Sequence, residues 1–259
     1  MKLSVVIPAF NEEDSVVPTV TALVEALVAA GIPHEVVVVN DSSKDLTEER
    51  LKSLVARLPS VRYVNNAPPN GFGFAVRKGL EVFTGDAVAI YMADASDVPE
   101  DLVRFYREMV DKNVDCVFGT RWSDGGKTVD YPLSKLVLNR LANTFIRTVF
   151  TSSYNDVTNA FKLYRREVIE GIQPLIAHHF NLTVELPLKA MVRGYSYSVL
   201  PNTWINRKTG VSKLKIQEMG SRYLFIVSYC LIEKWLSRGD YHRRNKRVEP
   251  LPIKRQSSK

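Results

Sequence analysis

Two aspartates follow an apolar segment in the first half of the chain. Asp94 and Asp97 lie just after residues 87–92 (AVAIYM), a composition typical of a buried β-strand. Carboxylate oxygens at the carboxyl end of a strand form a hard ligand set, which suits Mg²⁺ or Mn²⁺ rather than zinc. Ligands of open α/β sheets bind at that edge, where a metal would neutralise a diphosphate. The alternative is that Asp97, followed by Pro99 and Glu100, caps a helix.

Acidic and amide side chains also follow the first two predicted strands. They lie in residues 8–13 (PAFNEE) and 40–45 (NDSSKD). Because the carboxyl ends of parallel strands meet at one edge of the sheet, we expect these loops beside the aspartate loop. Their oxygens can accept hydrogen bonds from the N–H groups of a base and the hydroxyls of a ribose. For Asp41 or Ser42 taken alone, helix capping is the alternative.

Gly71 and Gly73, in NGFGFAVRKGL, partly match a dinucleotide-binding fingerprint. That fingerprint belongs to the first strand-to-helix turn of its unit, whereas these glycines follow the third predicted strand. Val76 also stands where the third glycine of the pattern would be. We therefore interpret the two glycines as allowing a helix N-terminus to approach a phosphate or a neighbouring loop.

Strands and helices alternate regularly through the first 121 residues. Near-continuous Val and Ile in the strands, between amphipathic helices, indicate parallel βαβ units with both sheet faces covered. The predicted fold is α/β, a doubly wound and mostly parallel sheet flanked by helices, with C-terminal amphipathic helices. The predicted strands are 3–8, 34–40, 61–66, 87–92 and 114–120, and the predicted helices are 12–30, 44–58, 74–83 and 99–111.

The alternation breaks after Arg121. A polar loop (WSDGGKTVDYP) follows, and the remaining predictions are helices over 133–150 and 182–192, a strand over 159–164, short strands in 195–207 and an apolar helix over 223–236. We expect one catalytic domain over 1–236, with a nucleotide-binding half (1–121) and an acceptor-binding half (122–236). Residues 237–259 are predicted to be a basic, disordered tail.

The charge of the chain is concentrated at its end. Of the net charge of +7, six units come from residues 238–259, with eight Lys or Arg against Asp240 and Glu249. A nucleic-acid binder would spread such charge over its folded surface, so no nucleic-acid partner is expected. The apolar, aromatic segment 223–236 is too short to span a bilayer and instead resembles an interfacial membrane contact. A core-packed helix is the alternative. Because the two cysteines lie in apolar segments, a reducing compartment is expected. Together with the interfacial segment, this predicts a cytoplasmic, peripherally membrane-associated protein.

The motifs PAFNEE, NDSSKD, NGFGFAVRKGL, MADASDVPED, GTR and NRKTGVSKL occur in the order found in family 2 glycosyltransferases of the GT-A fold. The chain resembles that family over residues 3–236. Its second half, with DVTNAFKLYRREV and NRKTGVSKL, is most similar to the dolichol- or polyprenyl-phosphate mannose or glucose synthases. The resemblance implies a nucleotide-sugar donor and a polyprenyl-phosphate acceptor at the membrane surface, with Mg²⁺ or Mn²⁺ as cofactor.

The resemblance also implies residue roles. The donor nucleotide would be bound by Pro8, Ala9, Glu12, Asp41, Ala93 and Asp94. Asp94 matches the metal-binding aspartate of the family's Asp-Ala-Asp motif. The chain departs from the motif at Met92, which stands in place of its first aspartate, and at Ser96, where mannose synthases often have glutamine. We expect Asp97 to supply the missing carboxylate.

Phosphate contacts are expected from basic residues of the second half. Arg121, Arg207 and Lys213 match positions that hold phosphates in the family, and with Asp94 and Asp97 they form the predicted catalytic set. Arg121, Lys135 and Arg140 are predicted to lie near the acceptor phosphate. Ordinary surface charge is the alternative for Arg121 and Arg207.

The expected reaction is attack by an acceptor oxygen on C1 of the activated sugar, with departure of the nucleoside diphosphate. An alcohol acceptor would need a general base, whereas a phosphate is already an anion at neutral pH. The sequence offers no obvious base. Asp156 or Glu185 could serve, and His178 and His179 are interpreted as structural. Transfer to a soluble or polysaccharide acceptor, and a non-catalytic sugar-nucleotide or nucleic-acid binder, are the alternative functions.

Overall fold

The computed structural model describes residues 1–206 and 216–243. The strands are β1 (Leu3–Ala9), β2 (His34–Asn40), β3 (Val61–Asn65), β4 (Ala87–Ile90), β5 (Cys116–Thr120), β6 (Lys127–Val129), β7 (Lys162–Arg165), β8 (Tyr197–Pro201) and β9 (Thr203–Ile205). The helices are α1 (Val16–Ala29), α2 (Thr47–Arg57), α3 (Phe72–Val82), α4 (Pro99–Asp111), α5 (Leu133–Phe150), α6 (Arg166–Gly171), α7 (Leu182–Val192) and α8 (Ile216–Leu236).

The central sheet has seven strands in the order β3-β2-β1-β4-β7-β5-β8. All of its neighbouring pairs are parallel except the two made by β7, which runs antiparallel between β4 and β5. A second, two-stranded sheet joins β6 to β9 in parallel. The prediction of a mostly parallel α/β sheet is therefore confirmed.

Both faces of the sheet are buried, as its run of valines predicts. In β2, Val36 and Val38 point into one hydrophobic core, while Val37 and Val39 point into the other. This division follows from the two-residue period of a strand. The first core contains apolar side chains of α1, α2 and α4. The second contains those of α3, α5, α7 and α8. The sheet is thus covered by helices on each side.

Several elements differ from the sequence prediction. Helix α6 was not predicted, and α8 begins at Ile216 rather than at Tyr223. The strand predicted over 159–164 is β7, which begins later, at Lys162, and runs against its neighbours. The polar loop after Arg121 contains β6, whose Lys127 and Val129 are exposed and which therefore lacks an apolar pattern. Helix α1 begins at Val16 rather than at Glu12, because residues 13–15 form a turn. Cys116 and Cys230 are both buried and free.

Helices α5 and α8 pack beside each other, and the Lys234 ammonium of α8 donates to the carbonyl of Phe150 at the end of α5. Both carry large apolar side chains that stay exposed. Those of α5 fall on one side of the helix, and so do those of α8. These residues, here called the apolar rim, are Leu133, Val137, Leu138, Leu141 and Phe145 of α5, and Leu224, Phe225, Ile232, Trp235 and Leu236 of α8. Within the described residues, no helix combines the length and apolar character needed to cross a bilayer.

Candidate active site

A cleft of about 840 Å³ lies at the carboxyl ends of β1, β2, β4 and β5. One end is lined by the loops that follow those strands, and the other by α5 and the first half of α8. The N-terminus of α3 and the segments that precede β7 and α7 complete its walls. The cleft therefore joins the edge where parallel sheets bind their ligands to the apolar rim.

The loops after β1 and β2 hold each other in place. The Asn11 amide N–H donates to the Ser43 hydroxyl, and the Lys44 N–H donates to the Asn11 side-chain oxygen. The Glu12 N–H donates to the Thr47 hydroxyl at the start of α2. Asn11 has a positive φ of 54°, a conformation that asparagine tolerates better than most residues. These bonds fix Pro8, Ala9 and Glu12 along the cleft.

Asp41 connects three segments at one end of the cleft. Its carboxylate accepts hydrogen bonds from the side-chain amides of Asn66 (2.7 Å) and Asn70 (3.1 Å) and from the backbone N–H of Gly71 (2.7 Å). The capping alternative for Asp41 is therefore wrong, although its carboxylate does hold Gly71, just before α3. It does not cap the helix that follows it in sequence, because α2 begins only at Thr47.

The acidic loop after β4 folds back on itself. The Tyr91 hydroxyl donates to the Asp97 carbonyl (2.6 Å), and the Met92 N–H donates to the Asp97 carboxylate (3.0 Å). The Ser96 N–H donates to the Asp94 carboxylate (3.2 Å). Helix α4 begins at Pro99 and receives no side-chain cap. The interpretation of Asp97 as a helix cap is therefore wrong.

Asp94 and Asp97 both line the cleft, and Asp97 is almost fully buried. Burial, together with the neighbouring Asp94 carboxylate, raises the pKa of Asp97 to about 7, although the Met92 N–H and the Arg121 guanidinium act in the opposite direction. Within residues 1–206 and 216–243, no group of three His, Cys, Asp or Glu side chains could hold a metal ion. Any cation bound here would take only part of its ligand set from these two carboxylates.

Arg121, directly after β5, is buried against Asp156. Its Nε and Nη2 donate to the two carboxylate oxygens at 2.8 and 2.7 Å, and its backbone N–H donates to Oδ2 at 3.0 Å. This ion pair keeps the pKa of the guanidinium raised despite burial. Arg121 lines the cleft, but as the partner of a buried carboxylate rather than as a surface charge. The surface-charge alternative for Arg121 is therefore wrong.

Lys162 of β7 is a buried cation that the sequence analysis missed. Its ammonium donates to the backbone carbonyls of Val157, Asn159 and Thr183. Burial lowers its pKa to about 7, and the nearby Asp156 opposes that shift. Because Thr158, Asn159 and Ala160 line the cleft, this ammonium fixes part of the cleft floor. A lone lysine within the apolar segment NAFKLY was the available signal.

An aromatic wall stands beside the acidic loop and Arg121. Trp204 of β9 forms an isolated β-bridge with Asp97, and the Ile205 N–H donates to the Ser96 carbonyl (2.9 Å). The Tyr131 ring lies edge-on to Trp204, with centroids 4.9 Å apart, and 5.6 Å from the Arg121 guanidinium carbon. Both rings line the cleft. No periodic pattern in the sequence marks either residue.

The segment before α7 packs on the N-terminus of α3. Phe180 stacks on Phe72, with ring centroids 4.3 Å apart, and His178 stacks on Phe74 at 4.6 Å. Glu185 of α7 fixes this segment, because its buried carboxylate accepts the N–H groups of Ile176 and Ala177 and pairs with Lys189. The imidazole of His178 therefore has the structural role that was expected. His179 lines the cleft beside Gly71.

The structure brings most of the predicted site residues to one cleft: Pro8, Ala9, Glu12, Asp41, Asp94, Asp97, Arg121 and Lys135. Ala93 is buried, and its carbonyl accepts a hydrogen bond from the Thr19 hydroxyl. Arg140 lies over the Trp122 ring, 5.4 Å from its centroid. Arg207 and Lys213 lie outside the described residues.

Comparison with known proteins gives a consistent family. The model of glycosyl transferase family 2 matches residues 4–172. The polyprenol monophosphomannose synthase of Mycolicibacterium smegmatis is 30% identical over 217 residues, 81% of this chain and 80% of that protein. The dolichol-phosphate mannosyltransferase of Pyrococcus furiosus is 31% identical over 223 residues, 83% of this chain. The match spans only 60% of that longer protein.

Solved structures show the same fold. Glucosyl-3-phosphoglycerate synthase from Mycobacterium tuberculosis, in complex with Mn²⁺, UDP and phosphoglyceric acid, superposes with a TM-score of 0.66 at 18% identity, over 90% of this chain and 78% of that one. The same protein with Mg²⁺ and UDP gives a TM-score of 0.66 at 17% identity, over 90% and 79%. At such low identity the likeness establishes the GT-A architecture alone.

Proposed function

Because the chain belongs to glycosyl transferase family 2, we propose that it transfers a hexosyl group from a nucleotide sugar, of the GDP-mannose or UDP-glucose type, to a polyprenyl phosphate. One observation carries the proposal: a single cleft runs from two carboxylates at the end of β4 to the apolar rim of α5 and α8. A charged nucleotide fits the first end and a lipid acceptor the second. The two relatives whose names specify polyprenol or dolichol phosphate support this choice of acceptor.

The donor set at the acidic loop fits a divalent cation. Asp94 and Asp97 offer only oxygen atoms, and two carboxylates leave room for diphosphate oxygens and water, the ligands with which Mg²⁺ usually completes its shell. When bound, Mg²⁺ or Mn²⁺ would stabilise the negative charge that develops on the departing diphosphate. Complexes of the structural neighbours with Mn²⁺ or Mg²⁺ and UDP support the assignment. Pro8, Ala9, Glu12 and Asp41 would bind the nucleoside.

The buried carboxylates favour a phosphate acceptor over an alcohol. Asp156 and Glu185 were the two candidate bases, and both are fully buried. The carboxylate of Asp156 is paired with Arg121. The carboxylate of Glu185 accepts hydrogen bonds from two backbone N–H groups and pairs with Lys189. An acceptor that is already an anion needs no proton removed. Its oxygen would attack C1 as the C1–O bond to the diphosphate breaks, and the bonding electrons would leave with the diphosphate.

The apolar rim suits an acceptor that stays in a membrane. Exposed leucine and aromatic side chains on two adjacent helices form the kind of surface that inserts into the headgroup region of a bilayer. Lys135 and Arg222 line the cleft next to that surface, and cations there would attract anionic lipid and the acceptor phosphate. We infer that the protein binds the membrane peripherally, with the mouth of the cleft facing the lipid.

A transfer assay tests this proposal. The purified full chain is incubated with Mn²⁺ and labelled GDP-mannose or UDP-glucose, and with vesicles of anionic phospholipid that contain a polyprenyl phosphate. We expect label to enter the lipid phase as a charged lipid-linked sugar. Label that passes only to a water-soluble acceptor such as phosphoglyceric acid, and never to lipid, would overturn the lipid assignment and favour the soluble-acceptor alternative.

Paired variants test the apolar rim itself. Leu141→Ser and Phe225→Ser should reduce both vesicle binding and transfer to vesicle-embedded acceptor, while nucleotide affinity stays unchanged. Val28→Ser is the matched control, since Val28 is equally exposed but lies on α1. An equal loss of vesicle binding in all three variants would show that this surface has no special role.

A further inference from the structure

The sheet order leaves a defined gap between the acidic loop and Arg121. The acidic loop follows β4 and Arg121 follows β5, and β7 lies between these strands. The axes of β4 and β5 are therefore two strand spacings apart, about 10 Å. On the proposed function, on which this inference rests, the donor diphosphate lies at the acidic loop. The acceptor phosphate is placed on the Arg121 side of the cleft, as predicted from the sequence. The hexosyl group must then lie in the gap, because C1 is bonded to the first group and attacked by the second.

Two aromatic side chains span this gap. The backbone of Trp204 is bridged to Asp97 and its neighbour Ile205 is bonded to Ser96, which holds the indole beside the acidic loop. Tyr131 lies beside Arg121 at the other end of the gap, and its ring meets Trp204 edge-on. Both side chains line the cleft and are only partly buried. The aromatic pair thus extends from the acidic loop to Arg121.

We propose that Trp204, supported edge-on by Tyr131, is a sugar-binding residue on which the hexosyl ring of the donor stacks. One face of a hexopyranose carries C–H groups with partial positive charge, and the face of an indole is the negative part of its quadrupole. The hydroxyl groups at the ring edge remain available to polar side chains. Stacking fixes the plane of the sugar, and therefore the direction from which C1 is open to the acceptor phosphate.

A purely structural role for Trp204 can be separated from sugar binding. The contacts that hold the acidic loop use the backbone of Trp204 and Ile205, and a substitution of the indole keeps them. The stacking role uses the indole alone. A nucleoside diphosphate contacts the acidic loop but has no hexosyl group, so its affinity reports on the loop alone. The affinity for the nucleotide sugar reports on the loop and on stacking against the indole together.

The experiment measures two affinities in each variant. Binding of GDP and of GDP-mannose, and of UDP and of UDP-glucose, is measured by calorimetry in the presence of Mn²⁺ for the wild type, Trp204→Leu and Trp204→Phe. We expect Trp204→Leu to bind the nucleoside diphosphate as the wild type does and the nucleotide sugar about three- to tenfold more weakly, the usual range for one aromatic contact. Trp204→Phe should recover most of that loss, because it keeps an aromatic face.

The outcomes are distinct. An equal loss of affinity for the nucleoside diphosphate and the nucleotide sugar in Trp204→Leu would overturn the stacking proposal, since the indole would then only support the loop. Unchanged affinity for both ligands would overturn it as well. If the wild type bound neither pair of nucleotides, the proposed function and the stacking proposal would both fail. If the wild type bound them and Trp204→Leu showed no sugar-specific loss, the stacking proposal alone would fail.

Discussion

Arg121 and Asp156 form a two-point ion pair at the end of β5, with N–O distances of 2.8 and 2.7 Å and both side chains out of solvent. The pair joins the residue that follows β5 to the segment leading into β7. A buried pair of this kind gives little net stability over an apolar replacement, but the loss of one partner leaves an isolated charge in the interior. The geometry of the cleft floor therefore depends on both members.

Asp156→Ala should lower the free energy of unfolding by about 3–5 kcal/mol, because the guanidinium loses its partner while it stays buried. The measurement is urea denaturation followed by circular dichroism. The control is Glu48→Ala, which removes an exposed pair with Lys52 and should cost less than about 1 kcal/mol. A cost for Asp156→Ala as small as that of the control would contradict the assignment of a desolvated ion pair.

Asp94→Asn and Asp97→Asn should each abolish the dependence of nucleoside diphosphate binding on Mn²⁺ and lower kcat/KM by at least about a hundredfold, since stabilisation of the leaving group is lost. Calorimetry with and without EDTA gives the first quantity, and the transfer assay gives the second. Asp111→Asn, at the exposed end of α4, is the matched control and should change neither. Metal-dependent binding that survives in both site variants would place the cation elsewhere.

Glu35 should make stability depend on pH in the acid range. Burial raises its pKa, but hydrogen bonds from Ser4, Thr84 and Arg62 outweigh that effect and lower it to about 2. A lowered pKa in the folded state stabilises the protein above the ordinary value of 4.5, and this contribution is lost as the pH falls from 4.5 towards 2.

Glu35→Gln should therefore lower the free energy of unfolding by about 2 kcal/mol at pH 7, a value typical of a hydrogen bond to a charged group. The loss should become progressively smaller below pH 4.5. Denaturation of both proteins at a series of pH values measures the difference. A difference that stays constant down to pH 2 would mean that the carboxylate is not the stabilising form.

Gly73→Ala should weaken nucleotide binding and lower stability. A Cβ at this position would approach the backbone carbonyl carbon of His178 to 2.4 Å, so α3 or the segment before α7 would have to move. Both line the cleft. Gly220→Ala, a helical site with open space around it, should leave stability equal or higher. Thermal unfolding and nucleotide titration compare the two variants, and equal behaviour would show that the close packing is unimportant.

The repeating half of the fold could be predicted from the sequence, because each of its signals is local. Continuous valines mark a strand covered on both faces, and β2 is such a strand. The position of β7 could not be predicted in this way. Hydrophobic period identifies a strand but carries no information on its direction or its neighbours, which depend on the path of the whole chain.

The site could be predicted only where a charged or polar residue follows a strand. That rule located Asp41, Asp94, Asp97 and Arg121, all of which line the cleft. It could not predict that Arg121 would be paired with Asp156, 35 residues further along the chain. Trp204 and Tyr131 were missed because an aromatic residue in a short strand or loop has the same local pattern whether it packs or binds.

The insertion of β7 also governs the order in which this protein can be built during translation. Strand β5 ends at Thr120, yet its neighbours in the sheet are β7 and β8, which end at Arg165 and Pro201. A nascent chain released from the ribosome only as far as Thr120 would hold four strands that can associate and a fifth with unsatisfied edges. The sheet between the two sides of the cleft is therefore completed only once the chain through Pro201 has been released.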